Sequence, residues 1–201
     1  MMLPVPHRLL ASLLFIAVAA WSFAAGAAEV EGIRFDDRLR TEYGGHELLL
    51  NGAGVRTKFI FNVYAIGLYL PQKVSVGREA LRLTGAKRVA ITILIGEVSA
   101  EQFMTAIREK LDFTHGTPEG EAIRRGIEHI SEIIDNMKLL KRGNTMNLDY
   151  VPGHGTRVVI NGELRGQPIA GRAFFDALLD GWVGEYPVSE SLKRALLGQE
   201  T

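Results

Sequence analysis

The sequence predicts an α+β fold, a mainly antiparallel β-sheet backed by a layer of helices. Three observations carry that prediction. Strand-like, helix-like, strand-like and helix-like stretches follow one another, with no regular βαβ alternation. Asn161-Gly162 sits between two strand-like runs, a strong signal for a two-residue hairpin. The 201 residues are 47% hydrophobic and 23% charged, ordinary for one domain with a real core.

Residues 1–28 read as an address. They hold His7 and Arg8, no acidic residue, an apolar run from Leu9 to about Ala25, and then the small residues Ala25-Gly26-Ala27-Ala28. This is the three-part pattern of a secretory signal peptide, with cleavage expected after Ala27 or Ala28. The run of about 17 residues is at the short limit for spanning hydrocarbon, which favours cleavage over a retained anchor. Residues 29–201 are then expected to form a single exported, periplasmic domain with no membrane span of its own. Without Arg8, that domain carries 22 basic and 23 acidic residues. Such a balance excludes a strongly basic nucleic-acid binder. The lack of any cysteine excludes disulfide scaffolds, thiol nucleophiles and Cys-ligated metals.

The elements follow in order. Ile33–Leu39 and His46–Leu50 are short strand candidates on either side of the turn-prone Gly44-Gly45. Gly54–Leu70, rich in Val, Ile, Phe and Tyr, is the strongest strand signal, and Pro71 closes it. It is too long for one straight strand, so Gly54 and Gly67 are expected to mark a bend or bulge. Ala86–Ile95 is another β-branched strand. Ser99 and Gln102 fit a capping box, so a helix should follow and end near Leu111. Thr117-Pro118 opens a second helix. In it Ile123, Ile127, Ile130, Ile134, Met137 and Leu140 recur at helical spacing, and Gly143 is expected to stop it. Thr145–Val151 and Gly155–Leu164 read as strands, with Arg157–Ile160 pairing with Glu163–Gln167 across the Asn161-Gly162 turn. Ile169–Trp182 and Ser189–Leu197 read as helices, the latter capped by Ser189.

Motifs of known chemistry are scarce. The five histidines show no metal-ligand spacing, and His129 falls between apolar positions of its helix, where a solvated face is expected. No GxSxG elbow occurs. Asn51-Gly52-Ala53-Gly54 lacks the lysine of a phosphate-binding loop and reads as a plain turn. Asp36 and Asp37 are adjacent and would point to opposite faces of a strand. The Gly54–Leu70 stretch is the unusual one. It sets Arg56, Lys58 and Tyr64 on the same alternation as Ile60, Ile66, Leu68 and Leu70. A charged group beside an aliphatic face suits a ligand with one charged end and an apolar body. The pattern by itself favours the plainer alternative: Arg56 and Lys58 as solvated edge residues, and Tyr64 as a half-buried aromatic. Eight residues of straight strand span about 26 Å, so Arg56 and Tyr64 share a ligand only if the chain bends.

Gly52-Ala53-Gly54-Val55-Arg56, followed by Val63-Tyr64-Ala65-Ile66-Gly67-Leu68-Tyr69-Leu70, resembles the core motif of the chalcone isomerase family. Ala173–Gly198 is similar to the family's closing helices. The likeness is to the exported bacterial branch rather than to the plant flavonoid enzymes. It implies an open-faced sandwich with a ligand cleft between sheet and helices. Family enzymes close a chalcone to a flavanone without metal or cofactor, so neither is expected here. The resemblance implies that Arg56 is the family arginine and that Tyr64 stands where the enzymes place a catalytic threonine. Phe103 aligns with a family tyrosine and Lys110 with a family asparagine. Ala177 and Leu178 occupy the position of a polar–apolar pair. Only the arginine of the usual polar set is plainly retained, and lost donors cost such an enzyme orders of magnitude in rate.

Three functions fit these residues. The first is noncatalytic binding of a fatty acid or similar amphipathic carboxylate by Arg56, Tyr64, Phe103, Lys110, Ala177 and Leu178. The second is an isomerase (an intramolecular lyase) acting on an unsaturated carbonyl compound such as a chalcone, with Arg56 and Tyr64 as its catalytic groups. The third is an envelope interaction protein with a vestigial cleft.

Overall fold

A computed structural model describes residues 27–109, 111 and 116–199. The expected export segment, residues 1–28, lies outside the described residues apart from Ala27 and Ala28. Those two open β1 (Ala27–Val30), which forms a hairpin with β2 (Ile33–Asp36). β3 (Arg38–Arg40) turns at Gly44-Gly45 into β4 (Glu47–Lys58), and β4 returns as β5 (Phe61–Leu70). Next come α1 (Gly77–Arg82), β6 (Lys87–Ile93), β7 (Glu97–Ser99) and α2 (Ala100–Arg108). α3 (Pro118–Asp135), β8 (Leu139–Lys141), β9 (Thr145–Val151), β10 (Gly155–Ile160) and β11 (Glu163–Ile169) follow. α4 (Ala173–Val183) and α5 (Glu190–Leu196) close the chain.

The main sheet has seven strands in the order β11-β10-β9-β6-β5-β4-β3, every neighbouring pair antiparallel. Helices cover one face through Ile66, Leu68, Val89, Ile91, Met146, Leu148 and Val158, packed with Ile130, Phe175 and Leu179. Phe35 of β2 packs on the other face, with Leu48, Leu50, Ala65 and Tyr69. Both faces of β5 are therefore dry from Ala65 to Leu70, which is why that stretch is hydrophobic without alternation. The α+β, antiparallel expectation holds.

Local signals translated well. Ser99 accepts from the Gln102 backbone N–H while the Gln102 side chain accepts from the Ser99 N–H, a complete capping box. Thr117 caps α3 ahead of Pro118, and Ser189 caps α5. The Asn161-Gly162 turn joins β10 to β11 with both residues at positive φ.

The sequence reading of the elements needs correction at five places. Gly54–Leu70 is not one bent strand: the chain reverses at Phe59-Ile60, and Gly54 and Gly67 lie inside β4 and β5. Asn51–Gly54 is not a turn but the middle of β4. Ile33–Leu39 divides into β2 and β3. α3 ends at Asp135, because Lys138 takes φ 60°, and Leu140 reaches the core from β8 instead. Its periodicity recorded burial and not backbone. α4 begins at Ala173, since Ile169 still belongs to β11. His129 also departs from a solvated face. Its Nε2 is buried and unpartnered, and a Cβ added at Gly166 would lie only 2.8 Å from it.

Lys87, at the start of β6, is fully buried. Its ammonium donates to the Leu81 carbonyl at 3.1 Å and stands 3.9 Å from Asp176. Burial pushes its pKa down to about 8, Asp176 pulling it up and Arg172 pushing it further down. Arg172 bonds both Leu81 O and Asp176, so neither is orphaned if Lys87 is replaced. The unfolded chain holds this proton up to about pH 10.4, so between pH 8 and that value stability rises with pH. Lys87→Met is expected to stabilise the fold at neutral pH by about 1–2 kcal/mol and to flatten that rise. Urea unfolding at pH 7 and pH 10 reads both effects; equal pH slopes in the two proteins would contradict the assignment.

Candidate functional site

The sheet and its helices leave a cleft of about 750 Å³ between them. Its sheet wall comes from β5, β6 and β9 through Val63, Ile91, Ile93, Met146 and Leu148. The helix wall comes from α2, α3 and α4 through Phe103, Ile107, Ile130, Leu178 and Trp182. That volume falls within the about 300–1,000 Å³ usual for small-molecule sites. Among the described residues, charge on the lining comes from Arg56 and Lys58 of β4 and from Glu97, Glu101 and Glu109 of β7, α2 and the residue after it.

The β4–β5 hairpin decides the polar end. Because the chain folds back at Phe59-Ile60, Arg56 and Tyr64 become direct cross-strand partners. Opposed side chains of an antiparallel pair stand about 4.5–5.5 Å apart at Cβ, so both groups address one ligand. The reversal thus supplies the bend their joint use required. The Arg56 guanidinium donates to the Thr57 carbonyl. Among the described residues no carboxylate pairs with it within ion-pair distance. The Tyr64 hydroxyl accepts from Trp182 Nε1 at 2.9 Å. Burial raises the Tyr64 pKa, while the Trp182 bond and the Arg56 charge pull it partway back. The phenol is therefore neutral at physiological pH, and with its oxygen already accepting from Trp182 it has its proton to give.

An arginine and a phenol paired across two strands at the end of an apolar cleft match the architecture that the motif resemblance implies. The family model for chalcone isomerase-like proteins matches residues 27–198. The chain belongs to the chalcone isomerase-like family. Among solved structures, the Arabidopsis thaliana fatty-acid binding protein is similar, with a TM-score of 0.55 and 16% identity. The alignment covers 80% of this chain and 95% of that one. At that identity the likeness concerns the fold. No curated protein matches by sequence.

Within this chalcone isomerase-like domain, Arg56, Tyr64, Phe103 and Leu178 all line the one cleft. Ala177 does not; it packs against the main core beside Leu178. Lys110 lies outside the described residues. Phe103 contributes an apolar ring where the resemblance places a hydroxyl, so the donors at the β4–β5 end of the cleft include Arg56 and Tyr64, with Lys58 further out on β4. Sequence reasoning passed over Trp182, which positions the Tyr64 hydroxyl. Its signal was available: Trp182 follows Leu178 by four residues, one turn along the same helix face. The glycines of the Gly52-Ala53-Gly54 motif prove to be a seat for α5. A Cβ on Gly52 would lie 2.1 Å from Ala195 O, and one on Gly54 would lie 2.8 Å from the Ala195 Cβ. Asn51, buried beside them, donates to Leu196 O and accepts from the Val74 N–H, each at 2.7 Å.

Proposed function

We propose that this chalcone isomerase-like protein is an exported, noncatalytic binder of a fatty acid or a similar amphipathic carboxylate. One observation carries the reading: an arginine with no ion-pair partner among the described residues lines an otherwise largely apolar cleft, opposite a neutral phenol donor. A carboxylate accepts from Arg56 and Tyr64 together, and its hydrocarbon tail lies along Ile91, Ile93, Phe103 and Leu178. The name of the Arabidopsis neighbour supports the same ligand class. Export rests on the Leu9–Ala25 run and the small residues that follow it.

The test is a titration with a fluorescent long-chain fatty acid, competed by an unlabelled acid and by its methyl ester. Saturable one-to-one binding is expected, with the acid the stronger competitor. Equal competition by the ester would show that the charged end is not recognised and would remove the basis of the reading. Isomerase action is the second reading, favoured by the Arg56–Tyr64 pair, which matches the charge of an enolate or phenolate. It predicts loss of chalcone absorbance on mixing with protein. No turnover is expected, because Phe103 offers no hydroxyl.

A further inference from the structure

The tip of the β4–β5 hairpin has the wrong chemistry for a turn. Two-residue hairpin turns favour Gly, Asn and Asp, since at least one central residue takes positive φ. Here the two positions between paired Lys58 and Phe61 are Phe59 and Ile60, and Phe59 holds φ 56° with a bulky side chain. Phe59 is 89% exposed, Ile60 86% and Phe61 58%. Neither turn formation nor packing accounts for three large apolar residues in water. The Asn161-Gly162 hairpin, at the same end of the sheet, uses ordinary turn residues.

Basic groups stand behind this wedge. Lys58 adjoins it, and Arg56 follows two residues down β4. The strand register brings a second basic turn to the same end: Tyr64 faces Ile93, and Ile93 O accepts from the Gly143 N–H just after Lys141 and Arg142. Of the nearby acids, Glu97 is paired with Lys141, while Glu101 and Glu109 line the helix wall of the cleft. An apolar wedge with a basic collar complements an anionic lipid surface, where apolar insertion and headgroup attraction add. A protein groove would match the wedge but would leave the collar without a role.

We propose that Phe59, Ile60 and Phe61 insert into the surface of a bilayer containing anionic lipid, holding the Lys58 side of the cleft against the membrane. This inference does not depend on which ligand the cleft takes.

The chain has no cysteine, so Ile60→Cys in the full chain carries an environment-sensitive fluorophore at the tip alone. Glu42→Cys places the same probe on an exposed turn at the opposite end of the sheet. On vesicles of phosphatidylcholine and phosphatidylglycerol, the tip probe should shift to the blue and brighten, and the Glu42→Cys probe should not. The local readout holds whatever else tethers the chain. Adding Phe59→Ser and Phe61→Ser should weaken partitioning about 100-fold, since each transferred aromatic contributes about tenfold or more. Lys58→Gln should weaken it about fivefold on the anionic vesicles and leave partitioning to pure phosphatidylcholine unchanged. These positions are exposed, and an unchanged thermal midpoint verifies that the variants fold. A tip probe that stays in water at saturating vesicles overturns the proposal. A shift that needs no lipid and grows with protein concentration also overturns it, assigning the tip to a second copy of the chain.

Discussion

On the carboxylate-binding proposal, Arg56→Ala is expected to lower affinity for a long-chain carboxylate about 30-fold, because a charge-assisted hydrogen bond of about 2 kcal/mol would be lost. The expectation follows from what surrounds the guanidinium. Arg56 donates to the Thr57 carbonyl and has no ion-pair partner among the described residues, so its remaining donors are available to a ligand. Removing it also leaves no buried carboxylate orphaned. The fold should therefore change by less than about 0.5 kcal/mol, the range of substitutions that break no buried network. Tyr64 keeps its bond from Trp182 in the variant. Calorimetric titration of wild type and variant with a fatty acid and its methyl ester checks the claim. The acid should lose its advantage over the ester, and ester affinity should hold. If the variant binds the acid as tightly as the wild type, Arg56 is not the carboxylate site.

Gly52→Val costs the fold about 3 kcal/mol or more. The added Cβ would lie 2.1 Å from the Ala195 carbonyl, and that obstacle is backbone, with no flexible side chain to swing aside. Overpacking alone costs about 1–3 kcal/mol. Here it also lifts α5 from β4 and stretches the bonds Asn51 makes to Leu196 O and the Val74 N–H. An unsatisfied buried amide adds about 1–3 kcal/mol. The thermal midpoint, followed by circular dichroism, should fall by about 6–12 °C. Gly54→Ala should be milder, because its Cβ meets only the side-chain carbons of Ala195 and Leu192. A Gly52→Val protein that melts with the wild type would mean α5 does not sit on β4 in solution.

Helix starts were legible because a cap is a contract between residues three apart. Ser99 with Gln102, Thr117 with the Gly120 N–H and Ser189 with the Leu192 N–H all lie within one turn. The Asn161-Gly162 hairpin was legible for the same reason. The Phe59-Ile60 hairpin was not, since neither residue favours a turn and the flanking run reads as continuous strand. α1 was passed over too: six residues leave no periodicity to detect, and Gly77 is placed by Val183 O, far along the chain. The candidate site divides along the same line. Arg56 was picked out by the Gly52-Ala53-Gly54-Val55-Arg56 motif, the alternation alone leaving it a solvated edge residue, whereas the Trp182 bond to Tyr64 spans 118 positions.

By itself, then, the sequence determined the fold class, the caps and one hairpin, all of which follow from side-chain chemistry acting over a few residues. Arg56 was singled out by the motif resemblance, since the local pattern alone favoured a solvated edge residue. Only the tertiary structure decided that Arg56 and Tyr64 are neighbours and that the Gly52-Ala53-Gly54 motif seats a helix. It alone decided, too, that Phe59 and Ile60 form an exposed tip. The reason is physical: strand register, helix docking and burial of both faces of β5 are set by contacts between segments distant in sequence. Local preference there yields to packing.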